Sequence, residues 1–372
     1  MRAVIRVNSS HLTGSGHVMR CLTLADMLSR DHHDVSFLCR NLPGNCYQLI
    51  EAKGYSYTLL PYSQQERQAY QNYPPCDDYA VWLGVSQERD AEDCIQALNT
   101  LACDWLITDC YGLDIVWETK LRPVVANIMV IDDLADRRHD CDILLDHNCY
   151  LNAERRYDHL IPRTALKLLG PQYALIKPEF FQIREQRRRN PGNRLETILV
   201  FLGGMDIKNH SKMVLEALLQ SSLEHTQIHV VLGNANPHGH ALQLDYREHK
   251  NVFFHIQPDY YAELLVKADL AVGAGGVGML ERLIINLPTV LLQTADNQRQ
   301  VCEDMQSAGM ACFADSPQSL LTLFDNLTPD SLEQLKKNNF LMDQKTSLLH
   351  KELRHAFNHC DVSQTAEPGS QS

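Results

Sequence analysis

The sequence of 372 residues has no apolar run approaching the roughly 18 residues that suggest a membrane span. It has no Cys-x-x-Cys pair, so its twelve cysteines do not read as a zinc site or a disulfide scaffold. Several of them fall in apolar segments (Cys39, Cys110, Cys302), where a reduced thiol acts as a small hydrophobe. Basic charge is also short: 34 Lys and Arg against 46 Asp and Glu leave a net charge of −12, without long blocks of one sign. That excludes a broad cationic surface of the kind a general nucleic-acid binder needs. It leaves room for a small anionic ligand, because backbone amides and a few arginines make local positive sites in acidic proteins. The opening Met1–Val7 stretch turns polar too soon for a secretory signal, and with free thiols the expected location is cytoplasmic. The composition is otherwise globular, 44% hydrophobic and 22% charged.

Short β-rich apolar runs alternate with segments of helical period. Strands are predicted at Ala3–Val7, Val35–Cys39, Trp105–Thr108, Ile128–Ile131, Thr197–Leu202, His229–Leu232, Leu270–Gly273 and Thr289–Gln293. Helices are predicted at Val18–Ser29, Met213–Leu219, Ala262–Lys267, Met279–Ile285 and Gln298–Ala308. Continuous apolar strands between helices indicate parallel sheets covered on both faces, an α/β class. The pattern runs twice. We therefore expect two doubly wound Rossmann-like domains facing across a cleft, spanning 1–190 and 191–360, with a disordered tail at 361–372. The basic stretch Arg184–Arg194, broken by Pro191-Gly192, reads as the linker. In such sheets ligands bind beyond the carboxyl ends of the strands, which directs attention to the loops that follow them.

The loop after the first strand carries Gly14-Ser15-Gly16-His17, with Arg20 one turn into the helix, and Gly14, Gly16 and Arg20 are candidate substrate contacts. Gly14 and Gly16 let a ligand approach the backbone. A helix N-terminus disfavours protonated imidazole, which keeps His17 ready to accept a proton. A histidine that merely caps the helix is the competing reading. The second half has Gly203-Gly204-Met205-Asp206 and Asn209 after its first strand, suggesting amides aimed at an anion or simply a sharp turn, with Gly203, Gly204, Asp206 and Asn209 as candidate substrate contacts. Gly275 and Gly276, before another helix, are placed to receive a phosphate, and Glu281 to accept from a ribose diol. The Gly-x-Gly-x-x-Gly match at 273–278 lies too late in the chain for a dinucleotide fingerprint, which disfavours hydride transfer. Asn297 and Gln298 suit sugar hydroxyls or acetamides, or cap the next helix. Asp109-Cys110-Tyr111-Gly112 puts a phenol at a strand end. Asp132-Asp133 has no histidine spacing to support a metal, and no metal or cofactor is expected.

These pieces, read together, resemble one family. Gly14–Leu22, Trp82-Leu83-Gly84-Val85, Asp109–Gly112, Cys141–Leu145, Tyr173–Ile176, Gly203–Asn209, Glu281 and Asn297-Gln298 fit in order the UDP-2,4-diacetamido-2,4,6-trideoxy-β-L-altropyranose hydrolases of pseudaminic acid biosynthesis. The resemblance covers roughly the first 300 residues. It implies a GT-B architecture like that of the peptidoglycan N-acetylglucosaminyltransferase, a UDP-sugar substrate and transfer of the sugar to water without metal. It further implies His17 as base, Tyr111 and Asn297 in the active site, and the nucleotide on the C-terminal domain. Asn8 stands where an aspartate is frequent in the family, and Met205 where a hydroxyl residue is frequent. A glycosyltransferase of the same architecture and a non-catalytic UDP-sugar binder remain alternatives. A monomer with no nucleic-acid or membrane partner is expected.

Overall fold

The computed structural model describes the chain except residues 75, 77, 190–194, 235, 344–347 and 364–372. The chain divides into two compact units. The first comprises 1–147, 154–175 and 347–372; the second comprises 148–153 and 176–346. This corrects the expected domains in two respects. The division falls at Leu175/Ile176 instead of near residue 190, because the helix Pro178–Arg189 packs within the second unit, where Arg187 Nη1 donates to the carbonyls of Leu265, Val266 and Ala268. In addition, the helix Leu349–Ser363 belongs to the first unit. Its Leu349, Leu353 and Phe357 join that unit's core, and Arg354 and His350 both bond Asp31. The linker segment 190–194 and most of the expected tail lie outside the described residues.

The first unit holds seven parallel strands in the order β3-β2-β1-β4-β5-β6-β7. They are β1 (Arg2–Val7), β2 (Asp34–Arg40), β3 (Ser56–Leu60), β4 (Trp105–Asp109), β5 (Asn127–Ile131), β6 (Ile143–Asp146) and β7 (Leu166–Leu169). The second holds six in the order β10-β9-β8-β11-β12-β13: β8 (Thr197–Phe201), β9 (Gln227–Leu232), β10 (Val252–Ile256), β11 (Leu270–Ala274), β12 (Thr289–Leu292) and β13 (Cys312–Ala314). Both are doubly wound parallel α/β sheets, as the alternation predicted. Central strands such as β4 are buried on both faces, which is why they read as unbroken apolar runs. The order reverses beside β1 in one sheet and beside β8 in the other, and these switch points carry the glycine loops. The eleven described cysteines are all free. Among the described residues no helix is long and apolar enough to cross a membrane.

Candidate active site

Strand β1 pairs in parallel with β4, with Val7 opposite Asp109. The loop after β1 and the last residue of β4 are therefore neighbours at the carboxyl edge of the sheet. Gly14, at φ 69°, accepts the left-handed turn that closes this loop, and its amide donates to the Ser10 carbonyl at 2.9 Å. The helix Gly16–Arg30 follows. Val18, Cys21, Leu22, Leu24, Ala25 and Leu28 lie on its buried side. A spacing of three residues puts His17 and Arg20 on one face, directed at Asp109.

Here the structure assembles a network that the sequence did not disclose. His17 Nδ1 lies 2.6 Å from Asp109 Oδ1. Arg20 grips the same carboxylate in a fork, Nε to Oδ2 and Nη2 to Oδ1, both at 2.6 Å. The third guanidinium nitrogen, Nη1, donates to Asp133 Oδ2 at 3.0 Å, and the Tyr111 hydroxyl donates to Asp133 Oδ1 at 2.5 Å. Burial opposes ionisation of Asp109, but Arg20 and His17 outweigh it and hold the carboxyl well below the ordinary carboxylate range. Asp133 is shifted the same way, Arg20 and the Tyr111 hydroxyl overcoming its burial. Burial and then Asp133 push the Tyr111 phenol far up, so it stays protonated and donates. Nδ1 lies 2.6 Å from the Asp109 oxygen and 3.2 Å from Arg20 Nη2, and the shorter contact to a group that can only accept favours the imidazole proton at Nδ1, which leaves Nε2 as the acceptor. No described side chain bonds Nε2, and His17 keeps 12% of its side chain exposed.

A pocket opens beside this network, lined by Asn8, Thr13, His17, Trp82, Leu83 and Asp109 through Gly112. Its aromatic wall is ordered by contact. Trp82 stacks on Tyr111 with an interplanar angle of 27°, and His17 meets Tyr111 edge-on at 4.6 Å. Trp82 sits on the short helix Tyr79–Leu83, which Asp78 caps and Gly84 ends in the left-handed conformation.

Arg20 was expected to touch substrate directly. It is 3% exposed and its guanidinium is engaged by Asp109 and Asp133, so it is an internal clamp. In the second unit, Asp206 likewise serves its own helix. Its Oδ1 accepts from the His210 amide and its Oδ2 from the Ser211 amide, both at 2.8 Å. These two positions correct the sequence reading: both carboxylate or guanidinium groups are spent inside the fold.

The remaining positions of the second unit gather at the carboxyl ends of adjacent strands β8, β11 and β12. Gly203 has φ 98°, and a Cβ built on Gly203 or Gly204 would meet nothing within 4 Å, so the side on which a Cβ would stand is open, while the Gly204 carbonyl accepts from the Gly233 amide at 3.1 Å. Asn209 precedes its helix in the left-handed conformation, with its Oδ1 buried and unpartnered. Gly276 caps the helix Val277–Ile284, and a Cβ there would have only Gln298 Nε2 in reach, at 3.8 Å. Gly275 is a glycine for a packing reason too: a Cβ would lie 2.5 Å from Cys302 Sγ. Gln298 spends its Oε1 on the amide and hydroxyl of Thr294, leaving its amide nitrogen toward Gly276. Asn297 lies in the same turn, Asp296–Gln298. Burial raises the Glu281 carboxyl to about 7, against the pull of Lys177 and Arg282.

No protein-family model matches the chain. It is 27% identical over 266 residues, 71% of its length and 81% of the relative's, to the UDP-2,4-diacetamido-2,4,6-trideoxy-β-L-altropyranose hydrolase of Campylobacter jejuni. It is 30% identical over 143 residues, 38% of the chain and 42% of the relative, to the spore coat polysaccharide biosynthesis protein SpsG of Bacillus subtilis. In fold it is similar to MurG of Acinetobacter baumannii, at a TM-score of 0.62 and 13% identity, covering 98% of this chain and 99% of that one. The chain is thus similar in sequence to the Campylobacter hydrolase, as its motifs indicated, and has the paired Rossmann-like domains of the GT-B fold.

Proposed function

We propose that the protein hydrolyses a UDP-linked diacetamido sugar, UDP-2,4-diacetamido-2,4,6-trideoxy-β-L-altropyranose, to UDP and the free sugar. The observation that carries this reading is the bond between His17 Nδ1 and Asp109, which leaves Nε2 as an acceptor in an accessible pocket. A water donating to Nε2 attacks the anomeric carbon while the bond from that carbon to the diphosphate oxygen breaks. The electron pair leaves with UDP, the water proton passes to Nε2, and the configuration inverts. Asp109, ionised and buried, stabilises the imidazolium that forms. Tyr111 and Asn297 position the sugar and the water.

The second unit supplies the nucleotide groups. The amides of Gly275 and Gly276, at a helix start, donate to the diphosphate as its charge grows. Gly203, Gly204 and Asn209 frame it, Glu281 accepts from the ribose hydroxyls, and Gln298 donates through its amide nitrogen. UDP leaves without a separate acid, because it is already a stable anion.

The GT-B likeness favours one second reading, transfer of the sugar to a carbohydrate acceptor. Incubating the candidate UDP-sugar with the protein and no acceptor separates the two. Release of UDP and free sugar in equal amounts, abolished by His17→Phe, supports hydrolysis. Release that begins only when an acceptor is added refutes it.

A further inference from the structure

Arg20 carries one positive charge and grips two carboxylates. Its Nε and Nη2 bond Asp109, and its Nη1 donates to Asp133 Oδ2. Asp109 is wholly buried and the Asp133 side chain is 10% exposed, so these charges act on one another with little screening by water. Both carboxyls stay ionised despite that burial.

The other titratable groups around the clamp add no charge of their own or bring it already paired. Burial keeps the Tyr111 phenol and the Cys21 thiol protonated and pushes the Cys110 thiol up to about 11. Burial, and after it the charge of Arg20, pushes the His147 imidazole beyond β6 down to about 4, so it is neutral near pH 7. Asp132 meets Arg137 at 2.8 Å and Asp146 meets Arg156 at 3.4 Å, and Arg156 also donates to the Asp133 carbonyl.

His17 stands in the first turn of the helix Gly16–Arg30, whose amide end opposes positive charge. Arg20 Nη2 lies 3.2 Å from its Nδ1. An imidazole that takes a proton here becomes a second cation beside the guanidinium. Asp109 alone offsets one of the two cations; Asp133 offsets the other.

We infer that Asp133 is a positioning residue for the base: through Arg20 it supplies the second negative charge that lets His17 accept the proton of water. The inference rests on the proposed general-base reaction and adds a carboxylate that serves it through another side chain.

The test is Asp133→Asn in the full-length protein. Arg20 can only donate, so the asparagine turns its oxygen to Nη1, and its NH2 meets the Tyr111 hydroxyl, which can accept. The shape is kept and one charge is removed. Ring signals of ¹⁵N-labelled histidines are followed by NMR without ligand, His17 being assigned by its absence from His17→Phe. The expected result is a titration midpoint of His17 lower by about one pH unit, with its proton retained on Nδ1 in the neutral form. His225, whose side chain is 91% exposed, keeps its midpoint. The acid limb of kcat/KM for UDP release moves down with His17, and kcat above that limb falls about three- to tenfold with KM within about twofold. A His17 midpoint that is unchanged or raised, or a proton moved to Nε2, overturns the inference. If Asp133→Asn does not fold, Asp133→Ser must lower the same midpoint, and a midpoint it leaves in place has the same force. The titration is read without chemistry. A midpoint that falls while the acid limb stays, or falls in a protein whose parent releases no UDP, refutes His17 as the base of hydrolysis and leaves the charge of Asp133 acting on His17.

Discussion

Replacing Asp109 by asparagine tests the base through its support. The carboxylate serves four donors: His17 Nδ1 and Arg20 Nη2 on one oxygen, Arg20 Nε and Cys21 Sγ on the other. An asparagine has one oxygen and one NH2 for these places. Oxygen toward His17 would leave Arg20 Nε and Cys21 Sγ facing the NH2, whereas oxygen on their side leaves only Arg20 Nη2 unmatched, because His17 can shift its proton. The NH2 then faces His17, where only an acceptor at Nδ1 is tolerated, and the imidazole proton moves to Nε2. An Nε2–H cannot take a proton from water. The same substitution in a Ser-His-Asp triad lowers kcat about 10⁴-fold by imposing the wrong tautomer. A base is ordinarily worth about 10²–10⁴-fold, so we expect kcat to fall about 10³-fold or more with KM little changed. Arg20 keeps Asp133, so the cost to stability is about 1–3 kcal/mol, and thermal melting must show a folded variant. UDP release under saturating sugar nucleotide gives the rate. A folded Asp109→Asn protein retaining kcat within threefold of the parent would refute the role assigned to the His17–Asp109 pair.

Two further outcomes follow from the same structure. The Glu281 carboxyl is raised to about 7 by burial, above its ordinary value of about 4.3, so its ionisation works against the free fold as pH climbs through that interval. Ribose hydroxyls donating to it favour the ionised form; UDP affinity measured by calorimetry should therefore strengthen between pH 6 and 8, and Glu281→Gln should flatten that rise, an unaltered slope counting against ribose at this site. Phe357 is 2% exposed and meets Trp105 at 4.6 Å, so Phe357→Ala should destabilise the first unit by about 3–5 kcal/mol in urea unfolding followed by tryptophan fluorescence. A cost below about 1 kcal/mol would mean that this helix does not dock on the β1–β4 core.

The central strands could be read from the sequence because burial on both faces makes them unbroken apolar runs, as in Trp105–Thr108 and Leu270–Gly273. Ser56–Leu60 escaped for the opposite reason: β3 is an edge strand with mostly half-covered or exposed side chains, and its apolar signal is weak. The second-unit boundary and the return of the last helix escaped because docking depends on which core a helix face meets, and periodicity carries no address. His17 and Tyr111 were legible from glycines and strand ends. Asp109 and Asp133 were visible only as residues after strands, since their meaning comes from Arg20, 89 and 113 positions away. An arginine one helical turn beyond the histidine was the available signal, and it was read as a substrate contact when it is the clamp that holds the carboxylate partner of His17.

The most direct measurement runs the reaction on the diacetamido UDP-sugar in ¹⁸O-labelled water and weighs both products. Activation of water by His17 for attack on carbon predicts one ¹⁸O in the sugar and none in UDP. Label in the β-phosphate of UDP would place the attack on phosphorus and contradict the account.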